Sequence, residues 1–321
     1  MKRRTFLHTA AMTAASLSAN KVFAGLRKGA FEKDNAEPAK GKTLRLKGDY
    51  YQHHPVDFSR GRLGALGFEG WGNSVDVNVA ADQTALIPMH IWNIGFSPQL
   101  SFKPEGPAAP IMKMLEWASR SGPITRSQIP PVLQAARDGG IRVIHVASDE
   151  HYALKYPGYE MSKQVAGPEP EGLPSAPMHD YVKTLNEERA DLVFGPGRKE
   201  ARPHYLKHLD FPPQARPLDD EYVTFTTHQL NGVLRKHGIW NLIYIGFAIN
   251  WCLWFSPGGM VDMSRLGYRC NCIEEATTAV ENKESVENEF NKKQSMWRTS
   301  LMFGYIHHAD DFIQACYRMN S

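Results

Sequence analysis

The sequence predicts an α/β protein, a three-layer αβα domain with a mostly parallel, doubly wound sheet. The main observation is a recurring pattern in which an amphipathic helix ends at glycine and a short apolar strand follows. One copy has helical apolar spacing over residues 129–136, then two glycines, then an apolar run at 141–146. A second copy ends its helix at Gly238, before residues 242–245. Glycine commonly ends helices, and apolar strands that alternate with helices are typical of a parallel sheet covered on both faces.

The pattern extends in both directions from these two copies. Residues 84–89 are an apolar run of strand length, and residues 268–273 follow a helix that ends at Gly267. In doubly wound sheets, ligands bind beyond the carboxyl ends of the strands. Functional residues are therefore expected just after three strands, which end near Met89, Val146 and Ile245.

Composition excludes several other classes of protein. The 321 residues are 42% hydrophobic and 22% charged, with 26 Gly and 21 Pro, which is ordinary for a globular chain with a sizeable core. No run of eighteen or more apolar residues occurs, so a membrane-spanning helix is not expected. Four cysteines in a chain of this length do not make a disulfide framework. Of these, Cys270 and Cys272 alternate along a predicted strand and are expected to be small core residues.

The N terminus predicts export. Residues 3–8, Arg-Arg-Thr-Phe-Leu-His, resemble the twin-arginine signal motif, and a mildly apolar stretch leads to Ala24. Residues 1–24 are therefore predicted to be a signal peptide, and the mature protein is expected in the bacterial periplasm or outside the cell. The alternative is a basic tail. The four cations of this segment account for more than the whole net charge of +3, so the rest of the chain is nearly neutral and lacks the charge of a nucleic-acid binder.

Two further segments lie outside the αβ pattern. Residues 25–80 are predicted to be an irregular N-terminal extension, rich in glycine, lysine and aromatic residues. Residues 81–321 form the predicted domain, in which residues 156–219 have many prolines and charges and little periodicity. A patternless segment of this length within a domain is commonly a functional loop, so a lid over the binding site is expected here.

Cys252 is the first candidate for chemistry. It follows the strand at 242–245 by a few residues, where a helix is expected to begin. The positive end of the helix dipole and the exposed N–H groups of the first turn favour a thiolate and can hold an oxyanion. The alternative is a buried structural cysteine, since free cysteine is among the most buried residue types.

The residues around Cys252 carry a family resemblance. Residues 246–252, Gly-Phe-Ala-Ile-Asn-Trp-Cys, resemble the G-x-A-[TS]-[DN]-x-C motif of the isochorismatase-like cysteine hydrolases, which include nicotinamidases and N-carbamoylsarcosine amidases. Residues 84–93, Thr-Ala-Leu-Ile-Pro-Met-His-Ile-Trp-Asn, are similar to the first strand of that family, usually T-A-L-L-V-I-D-M-Q-N. The resemblance covers roughly 84–150 and 220–316, which leaves the extension and the insertion outside it.

The resemblance implies a mechanism as well as a fold. In that family, which has a Cys-Asp-Lys triad, the cysteine attacks a carbonyl carbon and the aspartate takes the thiol proton. True isochorismatases cleave a vinyl ether without the cysteine, so the family alone does not select the bond. The expected reaction here is hydrolysis of a C–N bond of a small amide through a thioester. By position, Cys252 would be the nucleophile, the N–H groups of Ala248 and Cys252 would form the oxyanion hole, and a cis peptide is expected between Phe247 and Ala248. The resemblance also implies a small-molecule substrate, and homo-oligomers are common in the family. The charge and the lack of a long apolar run predict no nucleic-acid partner and no membrane partner beyond export. The thiol chemistry itself requires no cofactor.

Two members of the triad are changed. His90 stands where the family has aspartate, and no lysine occurs near 219–220, where the family lysine would fall. A cysteine and histidine pair is an established way to activate a thiol, so His90 is predicted to be the general base, with Asp220 or its neighbour Asp219 orienting the imidazole. The alternative is a relative that kept the pocket, lost the triad and binds a small molecule without turning it over.

A metal site is the third hypothesis. Residues 148–151, Ser-Asp-Glu-His, resemble the D-x-H segment that carries metal ligands in nicotinamidases, and His179 is a candidate third ligand. One carboxylate and two imidazoles, from Asp149, His151 and His179, would suit Zn²⁺, Mn²⁺ or Fe²⁺ and leave positions open for water or substrate. A metal-dependent hydrolase would then use these residues instead of Cys252. The alternative is a polar loop in solvent, because D-x-H alone is a common pattern.

Overall fold

The computed structural model of the protein describes residues 41–320, except residues 55–57, 102, 104 and 173 and the side chains of residues 60, 62 and 63. The predicted signal peptide lies outside the described residues. The strands are β1 (Thr43–Gly48), β2 (Tyr51–Gln52), β3 (Gly70–Trp71), β4 (Val75–Ala80), β5 (Thr84–Met89), β6 (Arg142–Val146), β7 (Tyr222–Thr224), β8 (Asn241–Phe247), β9 (Arg269–Thr278) and β10 (Ile306–His307). The helices are α1 (Ala109–Met112), α2 (Ala118–Ser127), α3 (Ile129–Asp138), α4 (Glu150–Ala153), α5 (Pro157–Ala166), α6 (Asp180–Phe194), α7 (Arg198–His208), α8 (Thr227–Lys236), α9 (Met260–Arg265), α10 (Phe290–Met302) and α11 (Ala309–Arg318).

The central sheet is parallel and doubly wound. Its six strands lie in the order β10-β9-β8-β5-β6-β7, so the chain begins in the middle at β5, winds outward to β7, and returns to β8 before winding to β10. β5 and β8 are therefore neighbours whose connections leave in opposite directions. Their carboxyl ends form the crevice in which such sheets bind ligands. The fold class predicted from the sequence is confirmed.

Helices cover both faces of the sheet because successive strand residues point to opposite sides. On one face, Leu86 and Ile243 pack with helices α3 and α11. On the other face, Ile87 and Tyr244 pack with α8, α9 and α10. Cys270 and Cys272 are fully buried in this second core, as their alternation in the sequence predicts. The helices before β6 and β8 end at glycines in the left-handed conformation, Gly140 at φ 72° and Gly238 at φ 64°.

The N-terminal extension differs from its expected irregular form. β1 and β4 pair as an antiparallel ribbon over six residues each, from Thr43 opposite Ala80 to Gly48 opposite Val75. Apolar residues alternate along both strands, and one face of the ribbon joins the core. The period-two alternation is present in the sequence and is the signal that predicts such a ribbon.

The insertion at 156–219 also differs from the expected loop, because most of it is helical. It contains α5, α6 and α7. α6 buries none of its residues, so its sequence has no apolar stripe from which a helix could be predicted. The end of α7 is fastened to the segment after β5, where Asn93 Nδ2 donates to His208 O at 3.0 Å and Asn93 Oδ1 accepts from the Asp210 N–H at 3.0 Å. Among the described residues, no helix is both long enough and apolar enough to span a membrane.

Candidate active site

The candidate site lies at the switch point of the sheet. Met89 ends β5 and pairs with Gly246 near the end of β8, so the residues that follow both strands lie side by side. Gly246 has φ 119°, and a Cβ atom there would lie 2.0 Å from the Met89 carbonyl oxygen. Only glycine fits this backbone approach, which explains the first position of the motif at 246–252.

The chain after β8 presents N–H groups next to a thiol. The peptide between Phe247 and Ala248 is cis, as expected from the resemblance. Ile249–Leu253 then form a π-helical turn in which the Ala248 carbonyl accepts from the N–H groups of Trp251 and Leu253, both at 3.1 Å. Among the described residues, the Cys252 N–H donates to no backbone acceptor outside this turn, and the Ala248 N–H hydrogen-bonds the Cys252 sulfur. Both N–H groups therefore lie beside the sulfur, where an oxyanion hole has to be.

Asn250 holds this turn against the neighbouring strand. Its side-chain Nδ2 donates to the Val280 carbonyl at 2.9 Å, and its Oδ1 accepts from the Val280 N–H at 2.9 Å. The side-chain amide thus satisfies both polar groups of one peptide position just beyond β9. An asparagine fits this position of the motif because its amide supplies both the donor and the acceptor.

Opposing influences act on the Cys252 thiol. Burial raises its pKa above the usual value for cysteine. The Ser256 hydroxyl and the Ala248 N–H, which both hydrogen-bond the sulfur, oppose that rise without cancelling it. The thiol is therefore neutral at pH 7 in the unliganded protein. A base is needed to remove its proton during attack.

His90 provides an imidazole at the end of the neighbouring strand. The residue is 4% exposed and its backbone has φ 53°, a left-handed conformation that is uncommon outside glycine. The His90 N–H donates to the Val146 carbonyl at 3.1 Å, which fixes the backbone, while the side-chain Nδ1 is buried without a hydrogen-bond partner within the described residues. Burial lowers the pKa of His90 to about 3, although the Ala147 carbonyl opposes the fall. The imidazole is neutral at pH 7 and can accept a proton.

Aromatic rings form one wall of the site. Trp92 stacks on His90 with ring centres 5.9 Å apart, and Trp117 lies 5.3 Å beyond it. Trp117 in turn stacks on Phe247 at 6.0 Å. These rings keep water away from His90, and this accounts for the strong effect of burial on its pKa.

Tyr205 borders this wall of aromatic rings, and sequence reasoning did not predict it. It projects from α7 in the insertion, is 7% exposed, and meets Trp92 edge to face at 6.5 Å. Burial raises the pKa of Tyr205, and nearby acidic groups, including Cys252 and Asp149, raise it further. No sequence signal joins Tyr205 to Cys252, because the insertion lies outside the family resemblance and the approach is made only in the folded chain.

Asp220 does not reach His90, so the prediction that it orients the imidazole is wrong. It lies, exposed, in the turn before β7. Thr224 of that strand pairs with Val146, which pairs with Met89. Asp220 precedes Thr224 by four residues, about 13 Å of extended chain, and Asp219 lies farther still. Both carboxylates are therefore at the opposite end of the sheet from His90.

The three predicted metal ligands are not gathered into one site. Asp149 caps α4, where its carboxylate accepts from the His151 N–H at 3.0 Å. His151 is exposed, and the exposed His179 precedes α6 and stacks on Tyr181 at 5.8 Å. Within the part of the chain that the structure describes, no three His, Cys, Asp or Glu side chains are arranged to hold a metal ion. These residues do not fit a metal as they stand.

Solved structures similar to this chain carry the names that the motif predicts. No protein-family model matches the chain. A cysteine hydrolase from Pseudomonas syringae pv. phaseolicola 1448A is 14% identical, with a TM-score of 0.44 over 75% of this chain and 95% of that chain. An isochorismatase from Pseudomonas putida KT2440 is 15% identical, with a TM-score of 0.39 over 72% and 91%. The N-carbamoylsarcosine amidase from Thermoplasma acidophilum is 16% identical, with a TM-score of 0.35 over 71% and 97%. In structure as in the motif at 246–252, the chain is thus similar, at low identity, to isochorismatase-family proteins.

Proposed function

We propose that the protein hydrolyses a C–N bond of a small amide, with Cys252 as nucleophile and His90 as general base. The observation that carries the proposal is the arrangement at the switch point. A thiol follows β8 next to the N–H groups of Ala248 and Cys252, and a neutral imidazole follows the adjacent strand β5.

The proposed reaction has two steps. As the Cys252 sulfur bonds to the substrate carbonyl carbon, the thiol proton passes to His90, and the carbonyl electron pair moves to oxygen, where the Ala248 and Cys252 N–H groups hold it. The electron pair then returns, the C–N bond breaks, and the imidazolium gives its proton to the leaving nitrogen. Water attacks the thioester with His90 accepting its proton, and the sulfur recovers that proton as the acid leaves.

The two neutral groups favour proton transfer during attack over a resting ion pair. Burial raises the pKa of Cys252 and lowers that of His90, so charge separation between them is costly in the empty site. The energetic benefit appears only when an oxyanion develops next to the two N–H groups. This arrangement stabilises the transition state more than the ground state.

A second candidate is a binding protein without turnover. The raised pKa of Cys252 and the distance of Asp220 from His90 favour it, because neither supports an activated thiolate. The pocket would then hold a small molecule against the same N–H groups. Substitution of Cys252 distinguishes the two functions, since a binding protein keeps its affinity for the ligand and has no activity to lose.

The proposed function is tested by screening small amides for release of ammonia or amine. The wild-type protein should turn over at least one amide, and C252A should lose at least about 10³-fold in rate, as nucleophile substitutions commonly do. C316A is the matched control, because it removes a thiol that is buried in another part of the core. Turnover that survives in C252A would contradict the proposal, and absence of turnover with any amide that binds would favour the binding protein.

We also propose that the protein is exported through its twin-arginine-like N terminus. The support is the motif at residues 3–8 and the small residue Ala24 before the predicted cleavage point. The site described above would then work in the periplasm or outside the cell.

A further inference from the structure

We propose that Tyr205 is a substrate-binding residue whose phenol hydroxyl hydrogen-bonds the amide group of the substrate at Cys252. This inference rests on the proposed function, because it takes Cys252 as the place where the amide is held. It assigns a role in the site to the insertion, which lies outside the family resemblance.

The first support is the unsatisfied hydroxyl. The Tyr205 oxygen is buried and has no hydrogen-bond partner among the described residues. Buried hydroxyl groups nearly always have a partner, and a lone one destabilises the unliganded protein. A ligand that offers a donor or an acceptor here therefore binds more tightly than one that does not.

The second support is the position of the hydroxyl. Its ring contacts Trp92, which stacks on His90, so the phenol belongs to the same wall as the proposed base. The hydroxyl thus belongs to the group of aromatic rings that surrounds His90 at the end of β5.

The third support is rigidity. α7 carries Tyr205 and ends at the Asn93 contacts described above, and the Leu209 N–H also donates to the Tyr205 carbonyl at 3.1 Å. Asp210 is held in addition by Lys155 at 2.9 Å and by the Tyr156 hydroxyl at 2.7 Å. A side chain on an anchored helix can select a ligand without first ordering a loop.

The fourth support is the charge of the groove beside Tyr205. Tyr205 forms part of the lining of a groove of about 750 Å³ between α1, α6 and α7. Ile111 and Met114 supply apolar surface. The charged lining residues are three basic and three acidic side chains, Arg198, Lys199, Arg202, Glu187, Asp191 and Glu200. The balanced charge of the groove, together with neutral His90 and neutral Cys252, favours an uncharged amide over an ionic ligand.

The test compares two reagents that modify Cys252 in the full mature protein. Iodoacetamide carries an amide: its carbon bonds to the sulfur, the C–I bond breaks, iodide leaves and the thiol proton passes to base. Methyl methanethiosulfonate lacks an amide and transfers a methylthio group as methanesulfinate leaves. The measured quantity is the second-order rate constant for iodoacetamide divided by that for methyl methanethiosulfonate, each determined at Cys252 by mass spectrometry. Both reagents react with the same thiolate, so the thiolate fraction cancels in this ratio. The measurement also requires no amide turnover.

Y205F should lower this ratio about 3- to 10-fold, the usual effect of one neutral hydrogen bond. Y181F is the matched control, because Tyr181 is 67% exposed on α6, and its ratio should equal that of the wild type. Y205F should also unfold at no lower temperature than the wild type, since the hydroxyl it removes has no partner in the unliganded protein. An unchanged ratio, including equal losses for both reagents, would overturn the role of Tyr205. Failure of the proposed function appears separately, as an absence of amide turnover in the wild type.

Discussion

Within the site, the ionisation of two side chains determines how the thiol can react. Burial raises the pKa of Cys252 and lowers that of His90, so a proton moves between them only as the substrate is attacked. The sequence predicts both residues as the catalytic pair. It does not predict their neutral state, which depends on Trp92 and the other rings packed around them in the folded chain.

The pH dependence of amide hydrolysis follows from the pKa of His90. Since burial lowers that pKa to about 3, the base stays unprotonated well below the ordinary histidine pKa of 6.5. The value of kcat/KM should therefore show no histidine titration between pH 7 and pH 5. A profile of kcat/KM against pH checks this, and a half-loss of activity near pH 6.5 would contradict it.

Asn250 should matter for both stability and reactivity. N250A leaves the Val280 N–H without its partner, while the Val280 carbonyl keeps the Asn291 Nδ2 donor at 3.1 Å, so the expected loss is about 1–3 kcal/mol in free energy of unfolding. The turn that carries Cys252 should also move, which slows alkylation of the thiol. Urea unfolding and alkylation rates measure the two effects. N288A, at an exposed asparagine, is the control and should match the wild type in both.

At the scale of elements, the ribbon of β1 and β4 covers the edge of the sheet. Asp49, just after β1, pairs with Ile306 of the edge strand β10, and the Asp311 carboxylate accepts from the Lys47 N–H at 2.6 Å. His308 lies between two carboxylates, with Nδ1 2.7 Å from Glu275 and Nε2 3.0 Å from Asp49. This ion-pair cluster joins the ribbon to the domain and shields an edge that would otherwise pair with another chain.

The cluster predicts a stability that falls at both high and low pH. Hydrogen bonds and charge attraction from Glu275 and Asp49 overcome the effect of burial and raise the pKa of His308 to about 9. Protonated His308 therefore stabilises the folded protein fully below the pKa of an unfolded histidine, about 6.5, and this stabilisation is lost as pH rises through about 9. The pKa values of Asp49 and Glu275 are lowered in the folded protein, so the stabilisation that these two carboxylates contribute is lost as the pH falls and they are protonated.

Thermal melts from pH 6 to pH 10 measure this effect. The melting temperature of the wild type should fall as pH rises through about 9, and that of H308Q should fall less over the same range. Parallel curves for the two proteins would show that His308 does not join the ribbon to the domain through its charge.

The helices of the insertion mark the limit of prediction from sequence. α3 and α8 are predicted because each places an apolar stripe against the sheet. α6 buries no residue and α7 buries only Ala201 and Tyr205, so neither has the spacing by which a helix is recognised. Tyr205 lies on α7 and is not predicted because that helix has no apolar stripe. The alternation of apolar residues in β1 and β4, by contrast, is visible in the sequence and predicts the ribbon.

At the scale of the molecule, the winding of the chain locates the site. The sheet reverses between β5 and β8, and the residues after these two strands include His90 and Cys252. The order of helices and strands in the sequence is enough to predict this crevice. It is not enough to predict which distant polar groups reach it, and this is why Tyr205 was missed and Asp220 was misplaced.

The proposed export predicts where the protein is found and at which residue the mature chain begins. Expressed in a bacterium with a twin-arginine system, the protein should be found in the periplasm or medium with Gly25 as its first residue. Replacement of Arg3 and Arg4 by lysine should retain the full-length chain in the cytoplasm while keeping the positive charge. N-terminal sequencing of each fraction provides the measurement. A mature protein that still begins at Met1 in the periplasm would contradict the predicted cleavage.

The most direct test of the account is the pH profile of iodoacetamide alkylation at Cys252 in the wild type and in H90Q, with circular dichroism to verify that both are folded. The pKa of the thiol is raised and His90 is its proposed base, so the wild type should react at pH 7 at least about 10-fold faster than H90Q. General bases commonly contribute about 10²-fold or more, so this is a conservative expectation. Its thiolate should titrate above the ordinary cysteine pKa of about 8.5. Equal rates in the two proteins at every pH would contradict the proposed pairing of Cys252 and His90.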